Sequence, residues 1–500
     1  ESPCFVIEHI ELQSDEVQRF GWVLDSLTLP DGRDGPLRHC LGAEGIGVVV
    51  QRAQHALVAR GVVTSRVLVE PQQLAHGRLR LSVIPGRIRQ VRFADPAARH
   101  PSALAALPAR PGDVLDLRDV EQALENLRRV PTVEADIEIV PGDDPGLSDL
   151  LVHWTQQRPL RLELSVDDSG SRDTGRYRGN ATLGLHNPLA LNDSFQIGLQ
   201  RGPGGDTPGR RHTRGHSWHY SLPWGRALLA LDVSRHRADQ TVAGASQNYV
   251  YRGASASQEA TVSWMLHRDA AHKTTLHARA FAWQSTNHVG DTEVTVQRRR
   301  VGGWQAGLGH RALFDPGTLE LSLSYQRGTG AFGSLPAPED AFGEGTSRFG
   351  VVKASAEGLL TFQLKGHPWT YRTQWRAQVH RTPLSPPERF AIGGRHTVRG
   401  FDGEYSLSAE SGWSWRNELS TPLGDTGVSV FAGLDHGQVR GPSADLLVGT
   451  RLTGAVVGLR RCPCAPGALQ FELFAGWPLH KPDGFPTART TLGFWIAATY

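Results

Sequence analysis

The first 84 residues contain β-rich runs around one long stretch of helical periodicity. Apolar side chains recur between residues 44 and 60 as they would on one face of an amphipathic helix. Gly61 follows at the position where a glycine commonly ends a helix. Residues 5–12, 62–69 and 79–84 have the composition of strands. The pattern predicts a small α+β domain with the order strand, helix, helix, strand, strand.

After Pro85 and Gly86 the same order of elements recurs. Residues 88–93 alternate as a strand, residues 97–107 form a first helix, and Asp116 can cap a second helix. The second helix has an apolar stripe formed by Leu117, Val120, Leu124 and Leu127. The two closing strands are residues 137–140 and 150–154. Two βααββ units in tandem are therefore predicted, and the alternative for each is an unrelated α+β domain.

From about residue 159 onward the helical period disappears and strict alternation replaces it. Residues 161–167 and 319–326 alternate polar and apolar side chains at every position. Short turns alternate with longer loops rich in Gly, Ser and charge, and about sixteen strands can be traced, which is typical of an outer-membrane barrel. The alternative, a large soluble all-β protein, leaves the asymmetry between long loops and short turns unexplained.

The last strand has an apolar face and ends in an aromatic residue. Leu492, Phe494, Ile496, Ala498 and Tyr500 lie on this face at a spacing of two, and Phe494, Ile496 and Tyr500 are its predicted signal residues. This is similar to the signal that the barrel assembly machinery reads, although an ordinary terminal strand has the same pattern.

Composition excludes several classes of function. The chain has 500 residues and a formal net charge of +3, and no Lys/Arg block resembles a nucleic-acid-binding arm. No apolar run approaches the roughly 18 residues of a membrane-spanning helix. No metalloprotease, phosphate-binding or nucleophile-elbow motif is present, so neither an enzyme nor a cofactor is predicted. Because the sequence begins at Glu1, a processed or trimmed chain is expected, with any export signal outside it.

The four cysteines form two pairs along the chain. Cys4 and Cys40 suit a disulfide in an oxidising compartment. Cys462 and Cys464 leave three alternatives open: a strained turn disulfide, two free thiols or half of a metal site. No metal site is predicted, because no His or Cys cluster accompanies this second pair.

A glycine-rich, charged stretch at residues 392–404 is the main candidate for function. Its glycines allow positive φ and close packing, so we expect a tightly folded loop that carries Arg399. In the later run 428–437, alternate apolar residues face lipid, which turns Asp435 toward the lumen. A pair of Arg399 with Asp435 in a wet lumen would contribute about 1 kcal/mol or less. The alternatives are an ordinary hairpin loop and two separately solvated charges.

Motifs occur in a consistent order along the whole chain: Pro3-Cys4-Phe5, Cys40-Leu41-Gly42, residues 60–67 and 117–122, Asn126-Leu127, Asp167-Asp168-Ser169-Gly170, Val398-Arg399-Gly400-Phe401-Asp402-Gly403-Glu404, and residues 431–437. In this combination the chain resembles the outer-membrane transporters of two-partner secretion, of the hemolysin-activator and contact-dependent-inhibition type. Each motif alone is modest.

The resemblance implies two periplasmic POTRA domains, residues 1–84 and 85–157, and a sixteen-stranded antiparallel transmembrane β-barrel, residues 158–500. The POTRA pair would capture one large exoprotein, and the barrel would pass it unfolded to the cell surface. A loop around residues 392–406 would fold into the lumen and dock on the wall. The implied loop residues are Val398, Arg399, Gly400, Phe401, Gly403 and Glu404, and the implied wall residues are Asp435 and Gly437.

The same resemblance implies a monomer in outer-membrane lipid, assembled by the barrel assembly machinery. We expect the exoprotein to bind the second POTRA domain between the helix at 117–129 and the strand at 134–140, through Leu117, Val120, Leu124 and Leu127. A plug helix, common in the family, is not recognisable before Phe5, so it was removed, was never present or lies outside this chain. A related barrel insertase and a passive porin are the competing functions. The exoprotein could be a hemolysin, an adhesin or an inhibition toxin.

Overall fold

The computed structural model describes residues 3–28, 35–95, 101–202, 212–243, 248–461 and 469–500. The chain forms two compact units. The first comprises Glu1–Arg158, Leu189–Asp193 and Pro223–Arg226, and the second Pro159–Pro188, Ser194–Leu222 and Ala227–Tyr500. Cys462 and Cys464 lie outside the described residues, so their alternatives stay open.

The first unit begins with a small domain that packs one long helix against a short sheet. Its elements are β1 (Phe5–Val6), β2 (His9–Gln13), α1 (Val17–Phe20), α2 (Trp22–Asp25), β3 (Cys40–Leu41), α3 (Ala43–Ala59), β4 (Arg66–Leu68) and β5 (Arg78–Ile84). The sheet order is β2-β5-β4. Val49, Ala53 and Leu57 recur every fourth residue on the buried face of α3. Gly61, with φ of +90°, ends this helix in the left-handed region.

A second small domain follows with the same order of elements. They are β6 (Arg87–Phe93), α4 (Ala103–Ala106), α5 (Leu117–Arg128), β7 (Val133–Pro141) and β8 (Leu147–Gln156). The sheet order is β6-β8-β7, so β7 lies at an edge. Asp116 caps α5 by accepting a 2.8 Å hydrogen bond from the Arg118 backbone N–H.

Two predicted elements are shorter than expected. The strand predicted at 62–69 is confined to β4, because residues 62–65 form turn and irregular backbone before it. The helix predicted at 97–107 is limited to α4, and residues 96–100 lie outside the described ranges.

A disulfide joins Cys4 and Cys40 in the first small domain, across 36 positions of sequence. A crosslink of this span restricts the unfolded chain and stabilises the folded domain by about 3–4 kcal/mol. We expect the Cys4→Ser/Cys40→Ser variant to lose about 3 kcal/mol of unfolding free energy, measured by amide exchange in β5. As a control, a reductant should destabilise the wild type and leave this variant unchanged. Equal stability of the two oxidised proteins would contradict the prediction.

In the second small domain, a buried carboxylate ties two strands together. Asp149 on β8 is 1% exposed, and Arg89 on β6 donates to each of its oxygens at 2.7 Å. Hydrogen bonds from Arg89, and then from Gln90, hold the pKa of Asp149 far below its usual range. Because the folded-state pKa is depressed, this pair stabilises the domain at neutral pH, and its contribution is lost as the pH falls below about 3.9.

We therefore expect Asp149→Asn to lower amide protection in β6, β7 and β8 at pH 7. The difference from the wild type should shrink below about pH 4, where the wild-type carboxylate begins to lose its advantage. Asp136→Asn is the control, since Asp136 is 70% exposed, and it should change protection little. Equal protection in the two variants would contradict a stabilising role for the buried pair.

In the described parts of the second unit, sixteen strands of eight or more residues close into an antiparallel barrel. The strands of this unit, including three short ones, are β9 (Leu160–Asp167), β10 (Arg178–His186), β11 (Ser194–Arg201), β12 (His212–Trp224), β13 (Ala227–Ala243), β14 (Asn248–Arg268), β15 (His272–Val289), β16 (Thr292–Glu293), β17 (Arg299–Phe314), β18 (Gly317–Thr329), β19 (Gly350–Leu364), β20 (His367–His380), β21 (Phe390–Ile392), β22 (Leu407–Ala409), β23 (Ser411–Pro422), β24 (Val428–Arg440), β25 (Arg451–Arg461), β26 (Gln470–His480) and β27 (Thr491–Thr499).

Short 3₁₀ helices occur in the loops of this unit, at Thr295–Gln297, Ala331–Gly333, Pro338–Phe342, Pro386–Glu388 and Pro442–Leu446. No helix among the described residues has both the length and the apolar character needed to cross a bilayer.

The two faces of the barrel strands differ as the alternating pattern predicts. Leu231 on β13 and Trp264 on β14 are 53% and 48% exposed on the outer face. Asp232, one position after Leu231, faces inward and bonds His219 of β12 at 2.7 Å. β27 pairs with β9 to close the barrel. The fold thus gives a polar lumen inside an apolar outer band, as in a transmembrane barrel.

Candidate functional site: the lumen loop and its wall

The lumen loop, residues 393–406, connects the paired strands β21 and β22 and has a buried tip. Val398 and Phe401 are 0% and 2% exposed, and both belong to an apolar cluster with Leu452 of β25. The ring of Phe485 meets the Phe401 ring edge-on, with 5.9 Å between the two ring centres. These contacts fold the loop against the wall strands instead of leaving it in solvent.

Arg399, at the tip of the lumen loop, bonds two carboxylates of the wall. Its Nε and Nη2 donate to the two oxygens of Asp435 at 2.7 and 2.9 Å. Its Nη1 donates to Glu418 Oε2 at 2.5 Å, and its backbone N–H donates to Asp435 at 2.9 Å. Because a two-pronged guanidinium contact fixes both distance and plane, these bonds set the position of the loop on the wall.

The predicted solvation of this pair is wrong. Arg399 is 6% exposed, Glu418 7% and Asp435 0%, so the contact is buried rather than wet. Removing one partner from a buried pair costs about 3–5 kcal/mol, because the other charge is left uncompensated. Without Arg399, Asp435 would retain the more distant guanidinium of Arg416, 3.9 Å away.

Three further charged residues, Glu418, Arg460 and Glu472, lie beside the Arg399–Asp435 pair and were not predicted from the sequence. Arg460 on β25 donates to Glu418 at 2.8 Å and to Glu472 of β26 at 2.8 Å. Its guanidinium also lies 4.6 Å from the centre of the Phe431 ring. The sequence signal was available, since these charges occupy lumen-facing positions by alternation. The strand register was needed to show that they are neighbours.

Glycines let the lumen loop touch the wall backbone to backbone. Gly454 on β25 lies directly opposite Asp435, and a Cβ added there would lie 1.9 Å from the Arg399 carbonyl oxygen. Gly400 has φ of +100°, and a Cβ on it would lie 2.4 Å from the Trp477 carbonyl oxygen. Only glycine fits such an approach. Gly454 was not predicted from the sequence.

A second contact holds the start of the lumen loop at the seam between β9 and β27. Arg395 donates to Oδ1 of Asp168, which follows β9. The same oxygen accepts from the Phe494 N–H of β27 at 2.9 Å, and Arg176 reaches the other oxygen at 3.1 Å. One carboxylate thus links the loop to the first and the last strand of the barrel.

We expect Asp168→Asn to weaken this seam while the barrel stays closed. Loss of charge-assisted hydrogen bonds to a carboxylate costs about 1.5–3 kcal/mol, and amide exchange in β9 and β27 should accelerate accordingly. The control is Asp173→Asn, an exposed carboxylate nearby, which should leave exchange unchanged. If both variants exchange alike, Asp168 does not secure the seam.

The remaining predicted loop and wall residues are also found together. Gly403 has φ of +77°, and the Glu404 carboxylate accepts from the Arg172 backbone N–H at 2.9 and 3.1 Å. Gly437 of β24 faces the loop, because a Cβ there would lie 3.0 Å from a methyl group of Val398. The structure therefore gathers all of these positions at one place on the wall.

The predicted C-terminal assembly residues lie on β27 and just after it. Ile496 and Tyr500 are 38% and 70% exposed, and the Phe494 ring lies 6.1 Å from that of Tyr177. Tyr500 also exchanges two backbone hydrogen bonds with Leu162 of β9, at 2.8 and 3.0 Å.

The predicted exoprotein site on α5 needs a correction. Val120 and Leu127 are 5% and 2% exposed and belong to the core of the second small domain. Their predicted availability to a partner is wrong, because an apolar stripe at this spacing first serves the core of its own domain. Leu117 and Leu124 are half-buried.

Two small βααββ domains, followed by a closed barrel with an arginine-bearing loop on its inner wall, define an outer-membrane transporter of two-partner secretion. The chain belongs to the haemolysin secretion/activation protein family ShlB/FhaC/HecB, whose profile matches residues 146–461. Profiles of the POTRA domain match residues 87–141 and, in the ShlB-type form, residues 22–86. The predicted fold class, function class and outer-membrane localisation, with POTRA domains in the periplasm, are confirmed.

Relatives extend over the full chain. The outer membrane transporter CdiB-2 of Burkholderia pseudomallei (strain 1026b) is 35% identical over 519 aligned residues, which cover 100% of this chain and 87% of the relative. The solved CdiB from Acinetobacter baumannii superposes with a TM-score of 0.86 at 30% identity, and CdiB from Escherichia coli with 0.89 at 25%. Each covers 100% of this chain and 91% of the solved chain.

The relatives are named transporters rather than enzymes. Within the described ranges, no group of His, Cys, Asp and Glu side chains has the arrangement of a metal site.

Proposed function

We propose that this chain translocates one large exoprotein of the class carried by CdiB-type transporters. The 35% identity to a CdiB-2 transporter over the full chain supports that class. The observation that carries the proposal is a sixteen-stranded barrel whose lumen loop is fixed to one wall by Arg399. A barrel of about this size encloses an aqueous channel rather than a packed core, as an unfolded polypeptide requires.

The lumen loop is proposed to set the width of this channel. Its attachment to the wall determines how much of the bore remains for cargo, so its position must be reproducible. The residues assigned to this role are Val398, Arg399, Gly400, Phe401, Gly403 and Glu404 on the loop, with Asp435 and Gly437 on the wall.

Cargo capture is proposed at the free edge of β7 in the second POTRA domain. In the described sheet β7 pairs with β8 alone, so its other edge offers backbone hydrogen-bonding groups to an added strand. Leu117 and Leu124 of α5 are half-buried and supply accessible apolar surface on the same domain. An extended segment of the exoprotein fits such a site.

The finer partner assignments belong to the same proposal. We assign the face of Phe494, Ile496 and Tyr500 to recognition by the barrel assembly machinery, and the apolar outer band to outer-membrane lipid. The functional unit is a monomer. The domain boundaries are residues 1–84, 85–157 and 158–500.

Transport is proposed to be driven by folding of the exoprotein outside the cell, because the sequence contains no ATP-binding motif. An exoprotein whose passenger cannot fold should then stall in the barrel. Full-rate release of such an unfoldable passenger would rule out this driving force.

The decisive test is cargo release. The chain is co-expressed with the large exoprotein encoded beside it, and exoprotein is measured in the medium and on the cell surface. Release that depends on this chain, with other outer-membrane proteins at normal levels, supports a single-partner transporter. Broad loss of other barrels in the absence of the chain would instead indicate an insertase.

A hemolysin-class exoprotein serves as the matched cargo control. The proposed cargo class requires that this substitute is released poorly, whereas equal release of both would contradict the class assignment and leave the transport function intact.

A further inference from the structure

We propose that the outer face of the barrel carries a binding site for the phosphate groups of an outer-leaflet glycolipid. The site is an arginine patch formed by Arg214 of β12 with Arg235 and Arg237 of β13. It rests on the outer-membrane localisation of this family and is independent of the cargo.

The arginine patch faces the membrane side of the wall. Arg235 and Arg237 have the same parity along β13 as Leu231, which is 53% exposed on the outer face. Arg214 has the same parity along β12 as Trp218, which is 48% exposed. Because side chains alternate strictly between the two faces of a strand, all three arginines point outward, and all three are exposed.

The patch lies at the upper limit of the lipid band. Arg214 precedes the end of β12 at Trp224 by 10 positions, and Arg237 follows the start of β13 at Ala227 by 10 positions. At roughly 3.3 Å per residue and a tilt of roughly 40°, each lies about 25 Å from the short turn between these strands. Short turns are periplasmic and the apolar band is about 25 Å tall, so Arg214 and Arg237 stand at the level of outer-leaflet headgroups. Arg235, two positions nearer the turn, lies about 5 Å below them.

The arginines edge a shallow groove of mixed lining. Arg235 and Arg237 lie directly opposite Ala256 and Ala254 of β14, so small side chains leave space beside them. The resulting cavity has a volume of about 670 Å³, and its lining combines Leu199 with polar side chains such as Gln284 and Thr286. A cationic edge beside neutral polar groups matches the phosphorylated sugar headgroup of a glycolipid in the same leaflet.

Among the described residues, no carboxylate forms an ion pair with the three patch arginines. Asp239, two positions beyond Arg237 on the same face, lies opposite Arg252.

An anion bound beside the patch would compensate the positive charge of its three arginines. Guanidinium groups bind phosphate through two parallel hydrogen bonds, and a lysine in their place supplies charge without that geometry. A phosphorylated glycolipid provides the anion at the required depth and the acyl chains for the apolar band below.

The test measures lipid retained by the full-length chain in detergent, by native mass spectrometry. The probes are diphosphoryl lipid A and the same lipid without phosphates. We expect the wild type to retain the diphosphoryl form at least about tenfold better, and R214Q/R235Q/R237Q to lose most of this preference. The matched control, R66Q/R78Q/R80Q, removes the same charge from exposed positions of the first POTRA domain and should bind as the wild type does.

Two further measurements make the result decisive. R214K/R235K/R237K should retain an intermediate preference, since charge remains but the two-pronged contact is lost. Millimolar inorganic phosphate should leave the lipid bound. The proposal is overturned if the glutamine variant binds diphosphoryl lipid as well as the wild type, or if free phosphate displaces the lipid. Heat-modifiable migration confirms a folded barrel, and R235Q alone, with a severalfold loss expected, replaces the triple variant if that variant does not fold.

Discussion

Arg399→Ala is expected to reduce secretion of the exoprotein by about tenfold or more while the barrel remains closed. The change leaves Asp435 without its two-pronged partner and removes one of the cations that bond Glu418. Breaking a buried ion pair in this way costs about 3–5 kcal/mol. The cost falls on the attached state of the lumen loop rather than on the strand ladder, so the loop detaches before the barrel opens.

Secreted and cell-associated exoprotein are compared by immunoblot, and heat-modifiable migration reports whether the barrel is folded. Asp435→Asn should act in the same direction, and the double variant should lose less than the sum of the two single losses, because the two side chains serve one contact. Arg311→Ala is the control, since this side chain of β17 is 55% exposed and pairs with Glu320 of β18 rather than with the lumen loop. Normal secretion in both Arg399→Ala and Asp435→Asn would show that the contact has no role in transport.

The second large effect is expected from Gly454→Ala. The added Cβ would lie 1.9 Å from the Arg399 carbonyl oxygen, a backbone atom that cannot move without displacing the tip of the lumen loop. Overpacking of this kind costs about 1–3 kcal/mol or more. The methyl group should therefore displace the loop although every charged partner is still present.

Trypsin cleavage after Arg395 and Arg399 reports on the position of the loop, and we expect it to rise in this variant together with a loss of secretion similar to that of Arg399→Ala. Gly253→Ala is the matched control in another barrel strand, because its Cβ would meet the movable Asn287 side chain at 3.2 Å. A variant that secretes normally and resists trypsin would show that the loop tolerates displacement from β25.

These two variants separate two requirements that the wild-type site combines. Arg399→Ala removes charge and keeps space, whereas Gly454→Ala removes space and keeps charge. If both variants lose secretion, transport needs the loop at a defined position. If only Arg399→Ala loses secretion, the charge of Arg399 itself takes part in transport.

The sequence alone determined the elements and their faces. Alternation over residues 161–167 predicted a barrel strand, and helical spacing over residues 44–60 predicted a helix, because the periods of two and 3.6 residues follow from backbone geometry. Alternation likewise turned Asp435 inward, and the glycines around Arg399 indicated a folded loop. These inferences succeeded because each depends on neighbours in the chain.

Only the tertiary structure decided which inward-facing groups meet and how dry their contact is. Glu418 and Arg460 are 42 positions apart, and strand register brings them together. Burial of Asp435 turned an expected weak, solvated pair into a strong one, because the strength of a charge pair depends on the water excluded around it. The same holds for Val120, whose apolar side chain suits a binding stripe or a core equally well until the sheet beside it is in place.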